Sequence, residues 1–393
     1  MKPLAITSHT VTSAVGAGRA AHLDALRAER TGLTEQRFED SQLACWIGAV
    51  AGLDSVVLPP PLAPFDCRNN RLAEVALAQD GFLEAVGAAR AKYGARRIGV
   101  FIGTSTSGVR HTELAYRDRA AGGAENLPDW FDYRTTQCTY SIAEFTRLRL
   151  GLEGVASAVS AACASSAKVF ASAARAIEAG FCDAAVVGGV DSLCLTTLYG
   201  FNALQLVSPE ICRPADANRH GLSIGEAGGF ALLERAAASG QPACLGVGES
   251  SDAHHMSQPR PDGSIAKVAM AGALGDLPPE RVSYINLHGT ATPANDAAED
   301  AAVSALFGAR VPCSSTNGWT GHTLGAAGIV EAVISLLAIE HGFMPRSLNT
   351  RELDPKIHAA VLMSARSGKV DYVLSNSFGF GGTNCSVLFG ATP

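Results

Sequence analysis

Apolar positions along the chain alternate between short runs typical of buried strands and longer stretches with helical spacing. In the first half, the predicted strands cover 4–8, 97–102, 156–161 and 183–188, and the predicted helices cover 20–28, 71–93 and 164–179. In the second half, the predicted strands cover 244–247, 282–287, 311–315, 372–376 and 385–389, and the predicted helices cover 265–273, 294–307 and 325–341. This alternation favours an α/β architecture.

The two halves of this pattern resemble each other. Each contains a small-residue strand that leads into a long apolar helix, and these helices end at Gly180 and Gly342. Gly240 and Pro242 mark a turn between the halves. We therefore predict an internal duplication, with an N-terminal half of residues 1–239 and a C-terminal half of residues 240–393.

Composition narrows the class of protein. The chain has 393 residues, of which 47% are hydrophobic and 17% charged, so it can bury a large core. Its net charge of -6 argues against broad nucleic-acid binding, which needs a basic surface. The first residues lack the apolar core of a signal peptide, and Glu331 interrupts the apolar stretch 326–339. We therefore expect a cytoplasmic protein.

The ten cysteines show no paired C-x-x-C spacing, which leaves little support for zinc or a thioredoxin-type redox site. His254 and His255 are adjacent, and neighbouring residues of a regular element point to different faces. The sequence therefore predicts no metal site.

Three positions carry candidate chemistry. Cys163 joins a strand to a helix, where the positive helix end favours the nucleophilic thiolate. His288 follows a predicted strand and His322 precedes a predicted helix, both among small residues. Halves packed face to face would bring Cys163 close to His322. A backbone N–H from the glycine-rich turn 376–384 can complete an oxyanion hole with the N–H of Cys163.

These segments, together with 212–219 and 251–256, resemble those of the β-ketoacyl-acyl carrier protein synthases, which are condensing enzymes of the thiolase-like superfamily. The resemblance spans nearly the whole chain. It implies a five-layered αβαβα fold with two duplicated halves, normally assembled as a dimer. The resemblance also implies that the enzyme requires no cofactor and that its substrates are carried on the phosphopantetheine of acyl carrier protein.

The resemblance also implies a reaction. Cys163 accepts an acyl group, malonyl-acyl carrier protein loses CO2, and the resulting enolate attacks the acyl-Cys thioester to give a β-ketoacyl product. Neutral His288 and His322 hydrogen-bond the malonyl thioester oxygen. The N–H groups of Cys163 and Phe380 form the oxyanion hole, and Phe380 gates the acyl pocket.

Further positions match the family more loosely. Thr290 and Thr292 correspond to positions that contact the pantetheine arm, and Thr106 to a position at the acyl pocket. Arg68 and Arg71 lie near the place where carrier-docking residues begin a helix, although solvated helix-end charge is an equal alternative.

One departure stands out beside the second histidine. Related synthases usually have lysine five residues before it, and this chain has Asn317. Glu299 matches the usual acidic neighbour of that lysine. An amide cannot supply the positive charge that stabilises a buried carboxylate. Slower decarboxylation, altered protonation of Glu299 and a rebuilt water network are the open consequences.

Two other readings remain. A biosynthetic thiolase would need a second cysteine in the final glycine-rich segment, but Cys385 lies beyond it. A chain-length-factor-like subunit would usually lack the nucleophile that Cys163 provides. The pathway is either fatty acid synthesis or, slightly favoured, a specialised aryl polyene or polyketide route. The partner subunit is a second copy or a chain-length-factor-like chain.

Overall fold

The computed structural model describes residues 1–235 and 238–392. Within these ranges the helices are α1 (Gly18–Arg27), α2 (Arg68–Leu77), α3 (Phe82–Tyr93), α4 (Val109–Gly122), α5 (Ser141–Arg149), α6 (Ser165–Glu178), α7 (Leu195–Ala203), α8 (Ser264–Leu274), α9 (Pro293–Phe307), α10 (Asn317–Thr320) and α11 (Ala327–His341). The strands are β1 (Leu4–Ser13), β2 (Gly16–Ala17), β3 (Thr34–Glu35), β4 (Trp46–Gly48), β5 (Ile98–Gly103), β6 (Ala156–Val159), β7 (Ala184–Asp191), β8 (Ile224–Gly225), β9 (Ala227–Arg235), β10 (Pro242–Ser251), β11 (Tyr284–Leu287), β12 (Pro312–Ser315), β13 (Phe343–Met344), β14 (Ala360–Val361), β15 (Arg366–Ser367), β16 (Val373–Gly379) and β17 (Thr383–Ala391).

The main sheet repeats one strand order in its two halves. In the first half, β1, β9 and β7 are antiparallel neighbours, and β7, β5 and β6 are parallel. In the second half, β10, β17 and β16 are antiparallel, and β16, β11 and β12 are parallel. The halves join where Leu4 and Ala5 of β1 pair with Cys244 and Ala243 of β10. The repeated order confirms the predicted duplication.

Helices cover both faces of each half-sheet. Helices α6 and α11 contact strands of both halves, so they form a central layer. Helices α2, α3 and α5 pack on the outer side of the first half, and α8 packs with α9 on the outer side of the second. The resulting order is helix, sheet, helix, sheet, helix, which confirms the five predicted layers.

The position of α11 explains its composition. By length and composition, Leu324–His341 is the one segment among the described residues that is apolar enough to cross a membrane, and 83% of it is buried inside the protein. A helix in the central layer has sheet on two sides, so it needs apolar side chains all round.

One predicted element is wrong. The helix expected over 71–93 is two helices, α2 and α3, and α2 begins earlier, at Arg68. Asp80 and Gly81 adopt left-handed φ values of 57° and 69° between them. An α-helix cannot continue through two left-handed residues, so the chain turns there.

Candidate active site

Cys163 lies in a strained turn between β6 and α6. Ala162, immediately before it, has a φ of 47°, a left-handed value that a residue with a side chain rarely adopts. Ser165 holds the turn, because its Oγ accepts from the N–H of Ala161 at 2.9 Å and donates to the carbonyl of Ala162 at 2.5 Å. Such strain persists where the surrounding contacts fix the chain, and it is common at active sites.

The second half of the chain brings two histidines to this cysteine. His322 Nε2 lies 2.9 Å from Cys163 Sγ, and the ring centroids of His288 and His322 are 5.1 Å apart. One polar atom from each of the three side chains lies within 4.8 Å of the other two. A thiol and two imidazoles at this spacing can also be ligands of a soft metal ion, so the metal-free site stays a prediction.

Burial controls the ionisation of the cysteine. It raises the pKa of the Cys163 thiol to about 12, and the carboxylates of Asp191 and Glu331 act in the same direction. The backbone N–H groups of Phe380 and Cys163 partly oppose this rise in pKa by hydrogen-bonding the sulfur. The N–H groups at the helix start thus favour the thiolate, as expected, but desolvation outweighs them and the thiol stays protonated. Cys163 needs a base, and His322 is in contact.

The two histidines are held neutral. Burial lowers the pKa of His322 to about 4, and burial together with nearby His322 lowers the pKa of His288 well below its ordinary value. A neutral imidazole keeps one N–H donor and one acceptor nitrogen. At pH 7 both rings can therefore donate an N–H to an oxygen that gains negative charge, and in its other tautomer His322 can accept the thiol proton on Nε2.

Glu299 and Asn317 hydrogen-bond the backbone of the His288–Gly289 segment, one to its N–H groups and the other to its carbonyls. Glu299 accepts hydrogen bonds from the N–H groups of His288 at 2.9 Å and Gly289 at 2.8 Å, and from Asn376 Nδ2 at 3.0 Å. Asn317 Nδ2 donates to the carbonyls of His288 at 2.7 Å and Gly289 at 3.1 Å. Burial raises the pKa of Glu299 to about 7.

One cavity of about 120 Å³ opens onto the catalytic groups. Cys163, His288 and His322 line it, together with Thr290 and Thr292, whose hydroxyl oxygens are 2.9 Å apart. The residues that the sequence assigns to acyl transfer and to the pantetheine arm therefore share one space.

A second cavity of about 340 Å³ also reaches the cysteine. Thr106 and Cys163 line it, and so do Phe201 and Phe380, which also line the first cavity. The Phe201 and Phe380 rings are stacked with their centroids 5.3 Å apart. Phe380 therefore lies at the junction of the two cavities, and Thr106 lines the second; the gate role of Phe380 and the acyl-pocket role of Thr106 stay predictions.

Arg68 and Arg71, the candidate carrier-docking residues, both form ion pairs within this chain. Arg68 is 13% exposed and makes a bidentate ion pair with buried Glu226, at 2.9 and 2.6 Å. Arg71 pairs with Asp66 through two hydrogen bonds of 2.5 and 2.7 Å. Both guanidinium groups are therefore paired with carboxylates of this chain, and their assignment to carrier docking stays a prediction.

Two buried carboxylates near the site were not assigned from sequence. Asp191 ends β7, and Glu331 lies inside α11, where Ser377 Oγ donates to it at 3.2 Å. Burial, opposed by that hydrogen bond and reinforced by Glu299, raises the pKa of Glu331 well above its usual range. An acidic residue inside an apolar run was the available signal for both. Cys385, by contrast, lies in the hydrophobic core, which removes the second cysteine that a thiolase needs.

Comparisons with known proteins agree with this geometry. Residues 69–239 match the model of the β-ketoacyl synthase N-terminal domain, and residues 243–351 match that of the C-terminal domain. 3-Oxoacyl-[acyl-carrier-protein] synthase 1 of Escherichia coli (strain K12) is 31% identical over 99% of this chain and 98% of its own length. A mitochondrial 3-oxoacyl-[acyl-carrier-protein] synthase of Arabidopsis thaliana is 39% identical, over 62% of this chain and 58% of its own length.

Solved structures extend the likeness to three dimensions. The structure of the ketosynthase ApeO in complex with its chain length factor ApeC, from Xenorhabdus doucetiae, contains a chain that superposes with a TM-score of 0.91 at 35% identity, over 100% of this chain and 98% of that one. A chain of the ishigamide ketosynthase/chain length factor gives a TM-score of 0.88 at 25% identity, over 99% of both chains. The chain therefore belongs to the β-ketoacyl synthase family and has its thiolase-like fold.

Proposed function

We propose that the protein is a β-ketoacyl-acyl carrier protein synthase that lengthens an acyl chain by decarboxylative Claisen condensation. The observation that carries this proposal is the 2.9 Å contact between Cys163 Sγ and His322 Nε2, made where two cavities meet in a chain of this family. A nucleophile in contact with a base is the arrangement that covalent acyl transfer requires.

Acyl transfer comes first. His322 Nε2 takes the proton of the Cys163 thiol, and the sulfur attacks the carbonyl carbon of the incoming thioester. The oxyanion that forms is stabilised by the N–H groups of Cys163 and Phe380, which already point at the sulfur. Collapse of this intermediate breaks the C–S bond to the carrier. It leaves an acyl-Cys163 thioester, and the departing thiolate recovers the proton from His322.

Condensation follows in the first cavity. The carrier arm of a malonyl thioester lies along Thr290 and Thr292, and its carbonyl oxygen accepts hydrogen bonds from His288 and from His322, which for this step carries its proton on Nε2. Loss of CO2 moves an electron pair onto that oxygen as an enolate, which the two neutral N–H donors stabilise. The enolate carbon attacks acyl-Cys163, and the C–S bond breaks. The products are a β-ketoacyl thioester and the Cys163 thiolate, which takes up a proton from solvent to restore the thiol.

We also propose a carrier protein and a second subunit as partners. The relatives are named for acyl carrier protein, and two similar structures hold a ketosynthase with a chain length factor. In this chain β6 is the last strand of its half-sheet, and Tyr140, Leu148 and Val155 are all more than 40% exposed. A second copy or a chain-length-factor-like chain could pair with the open edge of β6 and cover these exposed apolar side chains.

Three further points remain predictions: reaction without a cofactor, a cytoplasmic location, and a specialised aryl polyene or polyketide pathway. The residues around Cys163 suffice for a reaction without a cofactor, because each proton and electron pair has a protein group or substrate atom to receive it. The protein can be tested as a homodimer, as a heterodimer or as a complex with the carrier. Co-expression with each candidate partner, followed by size-exclusion chromatography, distinguishes these assemblies.

The decisive experiment incubates the protein with acyl-carrier thioesters and malonyl-acyl carrier protein, followed by intact-mass analysis. We expect an acyl adduct on Cys163 and a carrier product two carbons longer. Cys163→Ala should remove both, whereas Cys138→Ala, at a partly buried cysteine outside both cavities, should keep both. A wild-type protein without adduct or product would contradict the proposed function.

A further inference from the structure

Asp191 is a completely buried carboxylate at the end of β7, directly behind the second cavity. It accepts hydrogen bonds from six groups. These are the hydroxyl of Thr104 at 2.6 Å, the N–H and hydroxyl of Ser105 at 2.9 and 2.5 Å, the N–H and hydroxyl of Thr106 at 2.9 and 3.0 Å, and the N–H of Gly325 at 2.6 Å. Two carboxylate oxygens have about four lone-pair sites, so this acceptor is saturated.

These donors come from both halves of the chain. Ser105 and Thr106 follow β5 and line the second cavity, and Leu324, which precedes Gly325, lines it as well. A Cβ at position 325 would lie 2.6 Å from Asp191 Oδ2 and 2.7 Å from the nitrogen of Ser105, so glycine is required there. The carboxylate thus fastens two walls of one cavity to each other.

We propose that Asp191 is a positioning residue for the acyl site, which holds the 104–106 wall in place and thereby determines which acyl groups Cys163 accepts. The inference deepens the acyl-transfer function proposed above and rests on it. Without the shared acceptor, three N–H groups and three hydroxyls lose their partner. The 104–106 segment then relaxes into the cavity. An acetyl group ends before this wall, whereas a medium-chain group extends along it.

The test compares Asp191→Asn with the wild-type protein in loading acetyl and octanoyl thioesters onto Cys163. An amide NH2 cannot accept the N–H groups that the carboxylate accepts, although its size is the same. We expect the octanoyl-to-acetyl ratio of kcat/KM to fall about tenfold or more. Asp183→Asn, the same substitution just before β7 and outside both cavities, should leave the ratio unchanged.

Two further variants make the test independent of folding defects. Thr106→Val removes one hydroxyl, and Gly325→Ala displaces the carboxylate from the opposite wall. Both should lower the ratio, and the Asp191→Asn/Gly325→Ala double variant should be no worse than Asp191→Asn alone, because one network is broken. An unchanged or raised ratio in folded Asp191→Asn or Thr106→Val overturns the inference. Wild-type protein that loads neither thioester overturns the proposed function itself.

A second readout separates positioning from general stability. Burial is the largest cause of the raised pKa of Cys163, and the Asp191 carboxylate is the next largest. Asp191→Asn should therefore shift the pH profile of Cys163 alkylation towards lower pH, while Thr106→Val should not, because it keeps the charge. A profile that is the same in both variants overturns a role of Asp191 at the acyl site.

Discussion

The side chain of Asn317 lies across the His288–Gly289 segment from Glu299, at the position where the family resemblance leads one to expect lysine. Its amide holds both carbonyls of this segment, while Glu299 holds both N–H groups. A neutral amide, rather than a cation, therefore holds the carbonyls of His288 and Gly289 and helps to position His288.

Asn317→Ala removes both amide contacts and should slow malonyl decarboxylation about tenfold or more, because the His288 ring loses part of its support. Release of CO2 from malonyl-acyl carrier protein measures this rate. Alkylation of Cys163 should change little, since its partner is His322. Asn349→Gly is a matched control. It removes amide bonds to the carbonyls of Cys212 and Gly318, and its φ of 69° suits glycine. Equal decarboxylation by both variants would contradict a specific role for Asn317.

Glu299 also makes stability depend on pH. Burial, reinforced by Asp296, raises the pKa of this carboxyl from 4.5 to about 7, against opposing hydrogen bonds from Gly289, Asn376 and His288. The folded state thus holds a proton that the unfolded state releases. Its contribution to stability is complete below pH 4.5 and is lost as the pH rises through 7, at about 1.4 kcal/mol per pH unit. In urea unfolding from pH 5 to 8, the wild-type protein should lose stability relative to Glu299→Gln. Parallel curves would exclude this titration.

At the scale of elements, the start of α2 is tied to two loops through one ion pair. Glu226 accepts from Arg68 and also from the N–H groups of Val50 at 2.8 Å and Leu193 at 2.9 Å. The pair therefore connects three segments, whereas Arg71 pairs with Asp66 in the turn before α2 and donates one hydrogen bond to the carbonyl of Asp54 at 3.0 Å.

The two arginines should respond differently to the same substitution. Arg68→Met leaves the buried Glu226 carboxylate with its two backbone N–H donors but without a cation, and should cost about 3–5 kcal/mol of unfolding free energy. Arg71→Met breaks a pair whose carboxylate is 41% exposed and should cost about 1 kcal/mol or less. Urea unfolding at pH 7 measures both, and adding Glu226→Gln should recover part of the loss at Arg68. Similar losses at both positions would contradict this assignment.

Elements and residues could be predicted where the signal is local. Cys163, His288 and His322 each stand among small residues at the edge of a strand or helix, so their segments were identifiable. For Asp191 the sequence shows an acidic residue in an apolar run but not its role, because its six donors lie about 85 or more residues away in the chain. The break at Asp80 and Gly81 was missed because the apolar spacing continues across it. The ionisation of Cys163 was missed because burial is a property of the folded molecule.

For the whole molecule, the site depends on how the two halves meet. Cys163 precedes α6 of the first half, and His322 precedes α11 of the second. Ser166 Oγ joins these helices by accepting from the N–H of Ile329 at 3.0 Å. Within residues 1–235 and 238–392, the half-sheets pair only at β1 and β10, so the spacing of α6 and α11 sets the distance between nucleophile and base.

Gly328 tests this dependence. A Cβ on Gly328 of α11 would lie 2.5 Å from the backbone nitrogen of Ala167 in α6, which cannot move without its helix. Gly328→Ala should therefore separate the helices, cost about 1–3 kcal/mol of unfolding free energy and lower acyl loading of Cys163.

Gly87→Ala is the control, because a Cβ there meets nothing within 4 Å and sits inside α3. It should raise stability by about 0.5–1 kcal/mol and leave acyl loading unchanged. If Gly328→Ala loads Cys163 at the wild-type rate, the spacing of the central helices does not control the contact between Cys163 and His322.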